Sequence, residues 1–405
     1  MTVSSVGAGS LCPPNNSKPY YYNGYYIVFF KSGSTVYYAK SSDGVSWSIY
    51  VAQSGVDYHW AVMGIDNKVL LSYVADGYVR AKVGTISSYG TISWGSAVAL
   101  GTSNTSNRAV SNYVTKVAGV RKYFSRGSPT NHDQLFVSDN DGASWTDLGY
   151  CTWVGGYYWV RIMIIPFASG NKVQTIYSKP YDYTIYAKYR DGSTCYSEIN
   201  LGGFRNYHYI DDQACAILAG NYVHLVYIDK NNNLVHKRVT AGGTWETVGT
   251  VKSGISADAG VTLAYDPNSG RLYIFYWEDT SIKYVTWDGS SYSSEQVLVS
   301  GEADVLRLTA YPYPLNNEIL LVWYDGSYVR FTTLPVAVAY TKEVSDTGKV
   351  TDWYSRTASF HLEITETGIS SDFIAKSPLK VYTDYGKSTD YLTKGYGRLV
   401  TDVVI

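Results

Sequence analysis

Charge is scarce in this chain, and so are several other things. Only 17% of the 405 residues are charged, and the formal net charge is -1. A chain so balanced lacks the basic field that holds a polyanion, which excludes electrostatic nucleic-acid binding. No apolar run approaches the roughly 20 residues that span a bilayer as a helix, so membrane insertion is not expected. No stretch shows the 3.6-residue periodicity of an amphipathic helix. The opening residues, MTVSSVGAGSLCPPNN, carry no basic segment followed by an apolar core, so no secretion signal is read there. The four cysteines, Cys12, Cys151, Cys195 and Cys215, have no metal-ligand spacing. Disulfides are open to them in a pairing the sequence does not decide, and neither a metal nor a cofactor is expected.

What is abundant is tyrosine. The chain holds 42 Tyr and 11 Trp. These residues, with Val and Thr, favour pleated, half-buried surfaces. They recur as pairs of β-rich runs with a tight turn between them: Tyr25–Lys31 with Thr35–Ser41, Lys68–Val74 with Tyr78–Val83, and Arg121–Ser125 with Gln134–Ser138. The series continues as Lys172–Ser178 with Thr184–Tyr189, Tyr222–Ile228 with Leu234–Val239, Arg271–Trp277 with Ser281–Trp287, and Glu318–Tyr324 with Ser327–Thr333. The spacing of about 43 to 53 residues, with a further run on either side of most pairs, is that of four-stranded propeller blades. The expected fold is all-β: a propeller of seven blades over residues 18–335, with six as the alternative.

Two of the turns carry a motif. Leu135-Phe136-Val137 leads into Ser138-x-Asn140-x-Gly142-x-Ser144-Trp145, and a shorter copy lies at Ser41-Ser42-Asp43-Gly44-Val45-Ser46-Trp47. Weaker echoes stand at Thr240–Trp245 and Trp287-Asp288-Gly289. Asn and Asp side chains accept hydrogen bonds from turn N–H groups, Gly supplies a positive φ, and Trp returns to the next strand as an apolar plug. The pattern resembles the Asp box of sialidase-like β-propellers, with Asn at the Asp position in the longer copy. That resemblance implies a propeller and a structural role, away from any active site, for Ser41, Asp43, Gly44, Trp47, Ser138, Asn140, Gly142 and Trp145.

The ends differ from the repeat. Residues 1–17 are small and polar with Pro13-Pro14, and read as an arm. The last unit is one strand short, and the arm, through Thr2–Val6, is expected to supply it, because an open ring leaves an edge unpaired. From Val336 on, 17 of 70 residues are charged, against 50 in the first 335. Runs at Val336–Glu343, Ala358–Thr365, Leu379–Asp384 and Gly397–Ile405 read as strands of a small β-sandwich-like domain over 336–405, suited to attachment or assembly.

A propeller places the first strand of each blade around its channel. Polar and aromatic residues of those strands include Asp57, His59, Asn107, Tyr207, Asp211, Asp258, Asp304 and Arg307. The expected channel-mouth site is Trp60, Arg108, Trp159, Arg161, His208 and Asp212. Flat aromatic faces stack on sugar C–H surfaces, while Arg and Asp bond hydroxyls or carboxylates. Arg108, Arg161 and Arg307 could form the carboxylate clamp of a sialidase, but the Phe/Tyr-Arg-Ile-Pro signature of that family is missing. Tyr207 to Asp212 with His59 could serve a polysaccharide lyase. With no complete catalytic set, the leading expectation is a non-enzymatic recognition protein. It binds glycans or glycoproteins of a host envelope and meets other virion proteins through its C-terminal domain. An exterior-looking composition without a secretion signal suits a virion surface or tail protein, assembled inside a cell and acting outside it. A fragment whose signal was removed is the alternative. The alternative functions are a glycan-degrading hydrolase or lyase, and a purely structural virion component.

Overall fold

The computed structural model describes residues 3–11, 17–57, 59–102, 110–127, 132–153, 162–169, 171–179, 183–204, 213–256 and 259–336, with four short strands beyond. Residues 1–334 form one compact unit and 335–405 another.

The first unit contains seven antiparallel sheets of four or five strands. Each is a meander from the axis outwards. In blade 1 the order is Tyr20–Tyr22, Tyr25–Ser32, Thr35–Ser41, Ser48–Gln53. Blades 2 to 6 begin with Trp60–Ile65, Ser111–Val117, Ile162–Pro166, Ala214–Ala219 and Val261–Asp266, and blade 7 with Leu306–Ala310. From blade 2 to blade 7 each first strand touches the next. The fold is a seven-bladed β-propeller, and the six-bladed alternative is set aside by the count of sheets.

Burial explains why these sequences make these strands. Blades stack face to face and splay outwards, so strands near the axis are covered on both sides and outer ones are not. First strands are buried almost throughout, as in Ala214–Ala219. Second strands are equally dry, as in Lys68–Ala75 and Glu318–Tyr324. Both are therefore near-continuous apolar runs. Third strands alternate, as in Thr184–Asp191. Fourth strands are open, as in Ser48–Gln53 and Glu246–Ser253. Some polar side chains buried in the seams bond to backbone groups. Asn112 Nδ2 donates to the carbonyls of Ala61 (2.8 Å) and Leu70 (3.2 Å), and the Ala310 amide donates to Thr262 Oγ1 (3.0 Å).

Blade 7 draws on both ends of the propeller. Its order is Leu306–Ala310, Glu318–Tyr324, Tyr328–Pro335 and, outermost, Ser4–Ala8 from the N-terminus. Ser4 pairs with Phe331 and Ala8 with Tyr328. The arm then crosses to blade 1, where Ser10 exchanges two backbone hydrogen bonds with Lys31 (2.8 and 2.9 Å) and Leu11 is fully buried. Trp47 Nε1 donates to Ser4 Oγ (3.1 Å), and Ser4 Oγ donates to the Gly44 carbonyl (2.6 Å). The strand lies two residues later than Thr2–Val6.

Three tyrosines join blades near one end of the first strands. Tyr311 OH crosses to the Gly64 carbonyl (2.8 Å), Tyr313 OH to Leu218 (3.0 Å) and Tyr20 OH to Asp66 (2.7 Å). Burial raises all three phenols above their ordinary range, so they remain donors. This is the end where first strands turn into second strands.

Cys151 and Cys195 are joined by a disulfide that ties the outer strands of blades 3 and 4, with Cα atoms 5.4 Å apart. Arg190 packs beside it and donates from Nη2 to the Gly149 carbonyl (2.8 Å). Cys215 is buried and outside any disulfide, with its Sγ 3.7 Å from Thr262 Oγ1, and Cys12 lies outside the described residues. A staple across 44 positions stabilises chiefly by restricting the unfolded chain. Cys151→Ser is expected to lower stability by about 2–4 kcal/mol, and dithiothreitol to do the same to the parent. Chemical denaturation under both conditions checks this; a parent insensitive to reductant would refute it.

In the second unit, Trp353–Tyr354 pairs in parallel with Phe373–Ile374, which pairs in parallel with Thr389–Leu392; the latter forms a hairpin with Arg398–Thr401. Of the expected strands, Arg398–Thr401 falls within Gly397–Ile405. The other three lie outside the described residues apart from Val336.

Candidate functional site

The expected mouth site is represented among the described residues by Trp60 alone. Trp60 opens the first strand of blade 2, pairs with Tyr73 and is 2% exposed. Its ring belongs to the core and offers no open face, so the expected sugar platform at Trp60 is corrected to a packing role. Arg108, Trp159, Arg161, His208 and Asp212 lie outside the described residues, as do Asn107, Tyr207, Asp211 and Asp258. His59 is half-buried, and its carbonyl accepts from the Val74 amide (3.1 Å). Asp304 is exposed. Arg307 donates from Nη1 to the Leu11 carbonyl. That bond ties Arg307 to the arm.

The motif turns connect third and fourth strands. Asp43 Oδ1 accepts from the amides of Val45 and Ser46 (both 2.8 Å) and from Ser41 Oγ (2.7 Å), and the Gly44 amide donates to Ser41 Oγ (2.8 Å). These bonds favour the carboxylate and hold its pKa far below the usual range. Asn140 Oδ1 takes the same place in the longer copy, accepting from the Ser144 amide (3.0 Å), while the Gly142 amide donates to Ser138 Oγ (3.0 Å). Gly142 has φ +79°, and a Cβ there would lie 2.7 Å from Val83 of the preceding blade. Trp145 is half-buried rather than a full plug, and its indole N–H has no acceptor among the described residues.

A constellation the sequence did not single out sits between blades 5 and 6. Tyr222 and His224 alternate on Tyr222–Ile228, and His236 and Arg238 on Asn233–Thr240. A period of two puts each pair on one face of its strand, and the register sets His224 opposite Arg238. That face meets Trp287, the last residue of Ser281–Trp287 in blade 6. The Arg238 guanidinium lies 4.6 Å from the Tyr222 ring centre and 5.4 Å from that of Trp287. Its Nε donates to Glu246 Oε2 at 2.9 Å. The arginine side chain is 27% exposed and the glutamate 55%. Stacking and pairing fix a cationic fork, an acceptor and aromatic edges at the surface before any ligand arrives. Such a set can bond adjacent hydroxyls and cover a C–H face.

Beneath it, His224 Nδ1 and His236 Nε2 share a hydrogen bond of 2.8 Å, and His236 Nδ1 lies 3.0 Å from Tyr292 OH. Trp287 packs on both imidazoles, at 5.3 and 5.2 Å between ring centres. Burial, reinforced by the charge of Arg238, pushes both histidines down to about 3. The corresponding cation in blade 1, Lys40, lies over Tyr25 and Tyr50 but spends its ammonium on the Tyr89 carbonyl (2.6 Å) and Thr91 Oγ1 (3.1 Å) of blade 2. There the cation bridges blades; Arg238 instead holds a carboxylate of its own blade. Among the described residues no group of three or more His, Cys, Asp or Glu is placed to hold a metal ion. No described helix is long and apolar enough to cross a membrane.

No protein-family model matches the sequence, and no curated protein matches it. Among solved structures the chain is similar to the BP39L lectin from Burkholderia pseudomallei, at 10% identity and a TM-score of 0.59, over 83% of this chain and 96% of that one. It is also similar to the Aleuria aurantia lectin crystallised with Fucα1-6GlcNAc (13% identity, TM-score 0.49, 70% and 98% covered). A third is the polysaccharide lyase Uly1 (9%, 0.49, 82% and 92%). The chain is a β-propeller. These identities carry the fold and no more, and nothing in the comparisons points to a sialidase or Asp-box family.

Proposed function

We propose that this propeller is a non-enzymatic glycan-recognition protein, and that it docks sugar at the rim between blades 5 and 6. The observation that carries the reading is the surface guanidinium of Arg238, held between Tyr222 and Trp287 and paired with Glu246. The BP39L protein that shares the fold is itself a lectin. The remaining mouth residues, Arg108, Trp159, Arg161, His208 and Asp212, form a second proposed contact. In this reading the glycans belong to a host envelope, the protein works on a virion surface or tail, and residues 336–405 meet other virion proteins. The interblade disulfide suits such an exterior setting.

A glycan array at neutral pH, followed by calorimetry with the best oligosaccharide, tests the proposal. Tyr222→Ala and Arg238→Ala are each expected to weaken binding by about 1–3 kcal/mol, the usual loss for an anchoring side chain. If both bind as the parent does, the rim is not the site. Reducing-sugar and unsaturated-uronate assays on the same glycans address hydrolase and lyase activity, and turnover in either would replace the binder reading. A blank array, with neither activity detected, would leave the structural-component reading.

A further inference from the structure

A seam between blades is a place where one event changes two surfaces. The blade 5–6 seam stands out, because titratable groups are buried directly under a partly exposed cluster. The inference rests on the rim reading above, and concerns its regulation.

We propose that the His224–His236 pair is an acid-operated latch beneath the rim site. At neutral pH the two rings hold one proton each. One proton lies in the 2.8 Å bond between His224 Nδ1 and His236 Nε2, and Tyr292 OH completes the chain at His236 Nδ1. A first proton taken from solvent places a buried imidazolium in the seam. A second puts N–H groups on both sides of the shared bond and breaks it. The ionisable groups facing the pair are Tyr222 and Arg238 from blade 5 and Tyr292 from blade 6, with Trp287 covering both rings. Burial keeps Tyr292 protonated, up at about 12. The only carboxylate shown bonded to these groups is Glu246, on the outer side of Arg238. The new charge therefore meets a cation and no described anion. Both His224 and His236 are almost wholly buried. Trp287 rests on both imidazoles and on Arg238, so separating the rings moves Trp287 away from the guanidinium it helps to fix.

Histidines in the unfolded chain take up protons near pH 6.5, whereas the buried pair resists until about pH 3. Stability at the seam is complete above about 6.5 and declines as the pH falls through that window. The site holds its ligand through mild acid and releases it in strong acid.

Two measurements test this. On the unliganded protein, ¹⁵N NMR of the imidazoles follows their protonation. Emission of Trp287, taken as the difference from Trp287→Phe, follows the seam. Both are expected to change together in a transition centred near pH 3, with Trp287 shifting to the red. Binding of the best array glycan should fall at least tenfold across the same transition. In His224→Gln, which leaves one titrating ring, the emission midpoint should move. Imidazoles that titrate near pH 6.5 with no change at Trp287 would overturn the latch. So would a Trp287 transition whose midpoint is the same in His224→Gln. A loss of binding with Trp287 unmoved would assign the acid effect to protonation of Glu246 and also overturn it. If His224→Gln does not fold, the imidazole titration of the parent decides alone. A blank array with the Trp287 transition intact would count against the glycan reading and leave the latch standing.

Discussion

Removing residues 1–11 is expected to destabilise the propeller by about 5–10 kcal/mol and to make it aggregate. The deletion takes away Val6 and Leu11, both buried, at about 1.5–3 kcal/mol each. It also removes the backbone pairing of Ser4–Ala8 and Ser10, at about 0.5–1.5 kcal/mol per hydrogen bond. The indole of Trp47 loses its acceptor on Ser4, and Arg330 loses its bond to Ser5. What remains at Tyr328–Pro335 is a bare strand edge, a ready template for another chain. Calorimetry and size-exclusion chromatography of the truncated chain check the result. A truncation that melts with the parent and stays monomeric would show that the arm decorates blade 7 without closing it.

Trp60→Ala is expected to cost about 3–5 kcal/mol, the range for emptying a buried aromatic site. The ring is 2% exposed and lies within the largest apolar cluster. Stability, not sugar affinity, is the quantity that should move. Denaturant unfolding gives the first and calorimetry against an array-selected glycan gives the second. If the variant keeps its stability within about 1 kcal/mol and loses binding, Trp60 is a ligand platform after all and the neighbouring mouth residues regain first place.

The contrast between the two sites shows what one strand's sequence can and cannot carry. Tyr222–Ile228 and Glu318–Tyr324 were legible to the residue, because second strands are dry on both faces and read as unbroken apolar runs. The third strand of blade 7, expected at Ser327–Thr333, runs to Pro335. Fourth strands were harder to see, since an open rim imposes little pattern. In sequence, an aromatic at the head of a first strand, such as Trp60, looks the same whether it lines the channel or packs in the core. The side chain's parity decides, and parity shows only after pairing. The rim cluster hid for a related reason. Tyr222, His224, His236 and Arg238 sit at period-two positions that packing explains in full. Only the next blade, bringing Trp287 from roughly 50 residues away, the length of one repeat, turns them into a site. The histidine-lysine-arginine run at His236–Arg238 inside an apolar strand was the one local hint.

Ser5 and Arg330 stand 325 positions apart and lie in one sheet. Of the propeller's strands, the first to be synthesised is thus the last to find its partner. At roughly 5–20 residues per second, tens of seconds pass between the two. Throughout that interval Ser4–Ala8 has no partner strand, while six blades emerge and stack behind it. The nascent chain spends its synthesis as an open arc with a sticky seam at each end. Neighbouring chains on one message can invade either seam. Growth temperature and chaperone supply should therefore govern the yield of this protein more than the thermodynamic stability of the finished ring.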